Sequence, residues 1–220
     1  DGDMRQVMDL MTVLDRNLVL YIGLNNLADA MVGSAVGSIL LADMTAVAAE
    51  RYNYPDKEFP VNVFIDEAAE VLNKPGIQLL NKGRGAYFQV YVATQTIADL
   101  EVRTGSAAQA LQALGNLNNL IILRTIDGKT QKYVSETIPK TSLKTLDQGY
   151  RSGATAEAPL DFSATYTESL KETEADLMPA ALLGLLPSLH YFCRMSDGTT
   201  WKGQLPILRF KDKKKSGGKK

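Results

Sequence analysis

The segment Val61-Asn62-Val63-Phe64-Ile65-Asp66-Glu67 decides the predicted fold. Four of its first five residues are apolar, and Pro60 precedes them. A short apolar run of this kind between turn signals is typical of a buried strand in a parallel sheet. The run ends in two adjacent carboxylates, and ligands of open α/β sheets bind at the carboxyl ends of the strands. The segment therefore predicts an α/β fold with a candidate site at Asp66 and Glu67.

Two acids at the end of a strand suit the hydrolysis of a nucleoside triphosphate. Asp66 can hold Mg²⁺ through its water shell, and Glu67 can activate an attacking water molecule. This is the Walker B pattern of a triphosphatase. A buried strand followed by an acidic helix cap is also common in proteins without such activity. The acid pair alone therefore does not decide the function.

The composition excludes several classes of protein. The chain has 220 residues, and 45% of them are hydrophobic, which is enough for a packed core. The 24 basic and 25 acidic residues nearly cancel, so no overall field attracts the chain to nucleic acid. One cysteine, Cys193, and one histidine, His190, exclude a disulfide framework and a Cys/His metal cluster, and they fit a reducing compartment.

Strand and helix patterns alternate along most of the chain. Alternation of this kind predicts a largely parallel sheet flanked by helices, with an antiparallel hairpin appended at the turn Asp197-Gly198. We predict strands at 17–24, 61–65, 87–93, 117–125, 189–195 and 199–205. Helices are predicted at 27–52, from 67 with a break near Pro75, at 97–114 with a break near Gly105, at 128–137 and at 174–186.

The predicted helix 27–52 has two interpretations. Its apolar run and the pair Gly33 and Gly37 would suit a membrane helix that dimerises. Asp43 lies deep in that run, and a carboxylate at this depth is costly in lipid. We therefore expect a long helix that packs on the sheet, capped by Asn25 or Asn26.

Two parts of the chain differ in composition from the rest. Residues 138–173 are rich in small polar and charged residues and lose apolar periodicity, which predicts a long loop or a partly ordered excursion. The last ten residues, 211–220, include six lysines and one acid. We predict that residues 1–210 form part of one domain and that residues 211–220 form a basic disordered tail. The tail could add weak contacts to DNA phosphates.

Three further polar residues lie at positions that suit phosphate chemistry. Gln95 follows the strand 87–93, where it could sense a γ-phosphate and orient water, or could cap the next helix. Arg84 lies between two glycines in a flexible setting, where it could reach a phosphate of a neighbouring subunit or simply be a solvated turn. Arg124 ends a third strand and could bind nucleotide or pair with a surface acid.

Several short motifs follow one another along the chain. They are Leu20-Tyr-Ile-Gly-Leu-Asn-Asn-Leu27, Val63-Phe-Ile-Asp-Glu-Ala68, Gly83-Arg-Gly85, Val92-Ala-Thr-Gln-Thr96, Ala113-Leu-Gly-Asn-Leu117, Leu189-His-Tyr-Phe192 and Trp201-Lys-Gly-Gln-Leu-Pro206. With these motifs, the run from Asn17 to Leu208 resembles the RecA-like motor domain of conjugative type IV coupling proteins of the TraD/TraG type, which are related to the FtsK/HerA DNA-pumping ATPases.

The resemblance implies a role for each candidate residue. Asp66 would hold Mg²⁺, Glu67 would activate water, Gln95 would act as sensor, and Arg84 would be an arginine finger acting on a neighbouring subunit. It also implies ATP and Mg²⁺ as cofactors and a homohexamer that pumps single-stranded DNA. The relaxase or relaxosome and a type IV secretion channel would be partners, at the cytoplasmic face of a bacterial inner membrane.

The sequence departs from the family at the phosphate-binding loop. No G-x-x-x-x-G-K-[ST] motif occurs, because position 123, ahead of Gly128-Lys129-Thr130, is Leu. We therefore expect this chain to be the C-terminal part of a motor, without its P-loop. The full-length protein would be an ATPase, and this chain alone would be inactive. The alternatives are a type IV secretion assembly ATPase that moves proteins, or a non-catalytic recruitment or oligomerisation domain. His190 and Trp201 are expected to be structural, with Trp201 packing the hairpin on the helices.

Overall fold

The computed structural model describes residues 9–24, 28–54, 59–155 and 158–208. The chain divides into two compact units, Asp1–Leu120 and Ile121–Lys220. The predicted tail 211–220 and the predicted caps Asn25 and Asn26 lie outside the described residues. The boundary of the domain portion at residue 210 stays a prediction.

The first unit contains a parallel pair of strands and the helices around it. Its elements are α1 (Leu10–Asp15), α2 (Ala30–Asn53), β1 (Val61–Ile65), α3 (Ala68–Val71), α4 (Lys74–Lys82), a 3₁₀ helix (Gly83–Ala86), β2 (Phe88–Val92), α5 (Ile97–Thr104) and α6 (Ala107–Gly115). The predicted strand before the acid pair is confirmed, and the helix after it breaks where Asn73 caps α4 and Pro75 occupies its first turn. The predicted break near Gly105 in the helical run 97–114 is confirmed, because Gly105 ends α5 with a positive φ of 77° and α6 follows.

The β1–β2 sheet has one covered face and one open face. The strands pair in parallel from Val61 opposite Phe88 to Ile65 opposite Val92. Val63 and Phe88 are 7% and 5% exposed and belong to a core that includes residues of α1, α2 and α4. On the other face Phe64 and Tyr91 stack with ring centroids 4.5 Å apart. The alternation of the two strands thus fixes their register against the helices.

The long apolar helix α2 packs within the first unit. Its N-cap is Asp29, whose carboxylate accepts from the backbone N–H of Val32, so the predicted cap at Asn25 or Asn26 is wrong. In the described part of the chain, α2 is long and apolar enough to cross a membrane, as judged by length and composition alone. Gly37 lies so close to α3 that an added Cβ would be 2.3 Å from Cγ1 of Val71. The expected packing on the sheet is carried by Val47 and Ala48, which share a core with residues of both strands, while Asp43 is exposed.

The predicted strand over 17–24 is wrong for the residues that are described. Residues 18–24 form no strand, and Val19 and Tyr21 are 98% and 91% exposed. A strand needs a neighbour for its backbone hydrogen bonds, and β1 and β2 pair only with each other in the described sheets. Apolar composition indicated burial here but could not supply a pairing partner.

The described residues of the second unit form two antiparallel hairpins and two helices. Its elements are β3 (Leu120–Ile122, across the boundary), α7 (Gly128–Thr137), β4 (Lys140–Thr155), β5 (Ala158–Asp176), α8 (Ala180–Gly184), β6 (His190–Arg194) and β7 (Thr200–Gln204). The predicted closing hairpin is confirmed: β6 and β7 pair antiparallel, and Gly198 has a φ of 85° in the turn. β3 joins them in a three-stranded sheet. Trp201 is 61% exposed, so its expected packing is wrong.

The predicted loop over 138–173 is instead the β4–β5 hairpin. Its strands pair from Lys140 opposite Asp176 outwards, and β5 takes the first residues of the helix predicted at 174–186. Leu146 opposes Leu170 and Tyr150 opposes Tyr166, and all four side chains are exposed. Neither face is buried where the side chains of the hairpin are described, at 140–153 and 164–176, so the sequence lacks strict apolar alternation there, and this is why the pattern indicated a loop.

Candidate functional site at the carboxyl edge of the β1–β2 sheet

The acid pair occupies the turn between β1 and α3. Both side chains are exposed, and one carboxylate oxygen of Asp66 accepts from the backbone N–H of Glu67 at 3.0 Å. Glu67 has a φ of 49° and a ψ of 50°, and its side chain caps no N–H of α3. The left-handed conformation is uncommon outside glycine and is found preferentially at functional sites. The turn thus presents both carboxylates to solvent beyond the strand.

Parallel pairing brings the segment of Gln95 to the same edge. The Ala93 N–H donates to the Ile65 carbonyl and the Ala68 N–H donates to the Ala93 carbonyl, each at 2.9 Å. The acid pair lies between those two bonds, and Gln95 follows two residues after Ala93 with an exposed side chain. Thr96, not Gln95, caps α5, because its hydroxyl accepts from Asp99 N–H. Gln95 is therefore not used as a helix cap.

Arg84 lies at the opposite edge of the same sheet. It belongs to the 3₁₀ helix that precedes the first residue of β2, whereas the acid pair follows the last residue of β1. Five strand residues separate the two edges, about 17 Å at 3.3 Å per residue. The flanking glycines are packed rather than flexible: an added Cβ at Gly85 would lie 2.7 Å from the Tyr52 ring. The Arg84 side chain itself is exposed.

Arg124 belongs to the second unit. It lies two residues beyond β3 and is exposed. The structure brings Asp66, Glu67 and Gln95 to one sheet edge of the first unit, places Arg84 at the other edge, and places Arg124 outside that unit. The assignment of Arg124 to nucleotide binding stays a prediction.

The Gly128-Lys129-Thr130 triplet opens α7 but is already capped. A single oxygen of Asp127 accepts from the Thr130 N–H at 2.8 Å and from the Thr130 hydroxyl at 2.6 Å. The Thr130 hydroxyl and N–H lower the pKa of the Asp127 carboxyl below its ordinary value of 3.8. A carboxylate held here would repel a phosphate. The triplet therefore does not replace the absent phosphate-binding motif.

The acid pair offers a carboxylate oxygen that could bind Mg²⁺. Mg²⁺ in nucleotide sites is held by one or two carboxylates together with water and phosphate oxygens. Asp66 makes no hydrogen bond in the described part of the chain other than the one from Glu67, so its second oxygen is available. No group of three His, Cys, Asp or Glu side chains suited to a metal ion occurs among the described residues. Asp66 could therefore contribute one ligand of a site that nucleotide completes.

Sequence reasoning missed a hydrogen-bond cluster that holds α3, here termed the Arg103 clamp. It comprises Arg103, Ser34, Ser38 and three successive carbonyls, those of Glu70 and Val71 in α3 and of the C-cap Leu72. The Ser34 hydroxyl donates to the Glu70 carbonyl at 2.7 Å, and the Ser38 hydroxyl donates to the Val71 carbonyl at 3.2 Å. Nε of Arg103 donates to the Leu72 carbonyl at 2.8 Å, and its two terminal nitrogens donate to the serine hydroxyls, both at 2.7 Å.

The clamp could not be read from the sequence because its partners are remote. Arg103 bonds residues 31 to 69 positions away, on α2 and at the end of α3. Its only local signal is a basic residue in the last turn of α5. The clamp thus connects α3, which follows Glu67, to α5, which follows Gln95.

Comparison with known proteins identifies the family. The family described as the TraM recognition site of TraD and TraG matches residues 60–188, more than half of the chain. No curated protein matches in sequence.

Solved structures of a bacterial conjugative coupling protein, TrwB, are similar in fold. The unbound monoclinic form of TrwB lacking its N-terminal segment is 19% identical with a TM-score of 0.60, over 77% of this chain and 36% of that one. TrwB with the GTP analogue GDPNP is 18% identical with a TM-score of 0.58, over 86% and 39%. TrwB with ADP and Mg²⁺ is 17% identical with a TM-score of 0.58, over 79% and 36%.

At such identities the likeness shows the fold alone, and it confirms the predicted α/β class. The chain spans 36–39% of the length of these TrwB chains. The family match rests on the sequence itself and includes β1 with the acid pair that follows it, the clamp residue Arg103 and the β4–β5 hairpin. The chain belongs to the family described as the TraM recognition site of TraD and TraG.

Proposed function

We propose that this chain is part of an ATP-driven coupling protein that delivers single-stranded DNA to a type IV secretion channel. The observation that carries the proposal is the exposed pair Asp66 and Glu67, which shares one sheet edge with the Gln95 segment in a chain of this family. Acids at the carboxyl end of a parallel strand, beside a polar residue from the next strand, are among the parts that phosphoryl transfer uses.

Each residue of this edge has a separate task in the proposal. Glu67 accepts the proton of the attacking water, since its carboxylate is free of any helix-capping bond. Gln95 orients that water through its exposed amide. Asp66 holds Mg²⁺, which when bound offsets the charge of the phosphates. The nucleotide is ATP in this proposal, and TrwB was solved with ATP and GTP analogues and with ADP and Mg²⁺.

Arg84 acts on a neighbouring subunit in this proposal. Its position at the amino edge of β2 is remote from the acid pair of its own unit, and its side chain is exposed. Both features suit a guanidinium that reaches a phosphate held by the next subunit of a hexameric ring. An arginine finger of this kind contributes about 10³ to 10⁵ in rate.

Arg84 can be tested by mixing subunits of the full-length protein. Arg84→Ala and Glu67→Gln subunits are each expected to be nearly inactive as pure rings. Mixed rings should regain activity, since one subunit contributes an intact site and its neighbour an intact finger. Mixed rings that co-assemble and stay inactive would remove the action in trans.

The proposed partners follow from the family and remain to be tested. The family's description names recognition of TraM by TraD and TraG. We propose that this chain likewise contacts the relaxosome, at the cytoplasmic face of the inner membrane. Without a G-x-x-x-x-G-K-[ST] motif, the 220-residue chain alone should bind ATP only weakly, because the β- and γ-phosphates lack their main ligands.

DNA-stimulated ATP hydrolysis by the full-length protein tests the proposal. Single-stranded DNA should raise the turnover, and Asp66→Asn should abolish both the basal and the stimulated rate. Hydrolysis that is active but indifferent to DNA would favour an assembly ATPase that moves proteins. Absence of any hydrolysis would favour a non-catalytic recruitment domain.

A further inference from the structure

We propose that Arg103 is a positioning residue for hydrolysis, which fixes the helical turn beginning after Glu67 relative to the helix that follows Gln95. The inference rests on the proposed function and deepens it, because it names a residue that controls the geometry of that site without touching the reactants. It stands on the five hydrogen bonds of the Arg103 clamp.

The α3 turn needs support from outside itself. It has four residues, and a helix this short is not stable alone. Glu67 begins it in the left-handed conformation without a side-chain cap, and its last carbonyls would have no partner within the helix. The clamp satisfies the carbonyls of Glu70, Val71 and Leu72 in succession. The orientation of the turn therefore depends on side chains from α2 and α5.

Only arginine supplies the geometry that the clamp uses. Three different nitrogens of Arg103 donate to three separate acceptors, and both serine hydroxyls accept from it while donating onwards. A guanidinium holds its donors in a fixed plane, whereas the lysine ammonium is a single flexible point. In the described part of the chain no carboxylate pairs with Arg103, so its contribution is directional rather than ionic.

The clamp lies between the two candidate groups of the site. The α3 turn begins one residue after Glu67, and α5 begins two residues after Gln95. Arg103 lies on α5 and bonds the far end of the α3 turn, so it sets how the two helices leave the sheet edge. Misplacement of a reacting group by about 1 Å can reduce a rate by about 10²-fold. Loss of the clamp should therefore reduce turnover more than nucleotide affinity.

The first test uses the 220-residue chain and needs no activity. In Arg103→Ala, hydrogen exchange at the Leu72 amide, which bonds Ala68 inside the turn, should accelerate at least about tenfold. Exchange at Val63 and Val90 in the sheet should not change. Val102→Ala is the matched control, since it alters the same helix at a side chain that is 84% exposed.

The second test uses the full-length protein. Arg103→Ala should lower kcat for ATP about 10²-fold while KM stays within about twofold. Arg103→Lys should recover only part of the loss, and Ser34→Ala with Ser38→Ala should give a similar fall. Val102→Ala should leave kcat and the unfolding midpoint unchanged.

Two outcomes would overturn the inference. Unchanged exchange at Leu72 in Arg103→Ala would show that the clamp does not hold the turn. A fall in kcat and a rise in KM that merely follow a lower unfolding midpoint would make Arg103 an ordinary stabilising residue. Failure of the proposed function gives a different result, because hydrolysis would then be absent in the unaltered protein or intact in Glu67→Gln, whereas exchange at Leu72 would still report on the clamp.

Discussion

The β1–β2 sheet and the β4–β5 hairpin are both two-stranded, and they are stabilised in different ways. The first has five residues in each strand and buries one face on the helices of its unit. The second has strands of 16 and 19 residues, and its paired Leu and Tyr side chains remain exposed. A short sheet anchored by burial can hold functional groups in place, whereas a long exposed hairpin relies on its own cross-strand pairs. The candidate site lies on the anchored sheet.

The largest effect is expected where the anchored sheet is buried. Phe88→Ala removes a side chain that is 5% exposed in the core under the sheet, and it should lower the free energy of unfolding by about 3–5 kcal/mol. Phe64→Ala is the matched control, because Phe64 lies on the open face of the same sheet and is 75% exposed. It should cost about 1 kcal/mol, through its stacking on Tyr91. Denaturant unfolding of both variants measures the difference, and equal costs would contradict one-sided anchoring.

The next effect concerns the contact of α2 with α3. Gly37→Ala places a methyl group 2.3 Å from Cγ1 of Val71, so the helices must separate. Overpacking of this kind costs about 1–3 kcal/mol. Adding Val71→Ala should recover part of that loss, and thermal unfolding of the single and double variants measures it. Gly115→Ala, where the added Cβ meets nothing within 4 Å, is the control and should be neutral or stabilising.

A smaller effect is expected in the exposed hairpin. Leu146→Ala removes one member of a cross-strand pair with Leu170, and such pairs contribute about 0.2–1 kcal/mol. Amide exchange along β4 and β5 should accelerate, while the unfolding of the first unit should not change. Leu143→Ala, opposite Thr173, is the control on the other face. A loss as large as that of Phe88→Ala would show that the hairpin face is buried after all.

The smallest effect near neutral pH is expected at the start of α7, where no sheet is involved. The hydrogen bonds from Thr130 hold the pKa of Asp127 below 3.8, so the contribution of this carboxylate to stability is complete above pH 3.8. It is lost as the pH falls through the lowered pKa of the folded state. Asp127→Asn keeps a capping side chain and should remove this part of the acid dependence. NMR titration of the Asp127 carboxyl gives the direct check, and a pKa above 3.8 would contradict the assignment.

The same contrast explains what could be predicted from sequence. The strand before Asp66 and the closing hairpin at Gly198 were predicted because apolar runs and turn residues are local signals. The β4–β5 hairpin was not predicted, because its described side chains are not buried on either face and its sequence therefore lacks the apolar alternation of a half-buried strand. Residues 17–24 were predicted as a strand from composition, which does not reveal a pairing partner.

The site was predicted in part for similar reasons. Asp66, Glu67 and Gln95 follow strand ends, and parallel pairing brings such positions to one edge. Arg84 also adjoins a strand, but at its amino end, and the sequence did not show that the two glycines are packed. Arg103 was missed because all its bonds to the clamp join residues far apart in the chain.

The most direct test of the site is Glu67→Gln in the full-length protein, with ATP binding and ATP turnover measured on the same preparation. The amide keeps the shape of the side chain but cannot accept the proton of the attacking water. We predict that ATP still binds with little change in affinity and that steady-state hydrolysis is abolished. Hydrolysis at the unaltered rate would contradict the assignment of Glu67, and with it the site at the carboxyl edge of the β1–β2 sheet.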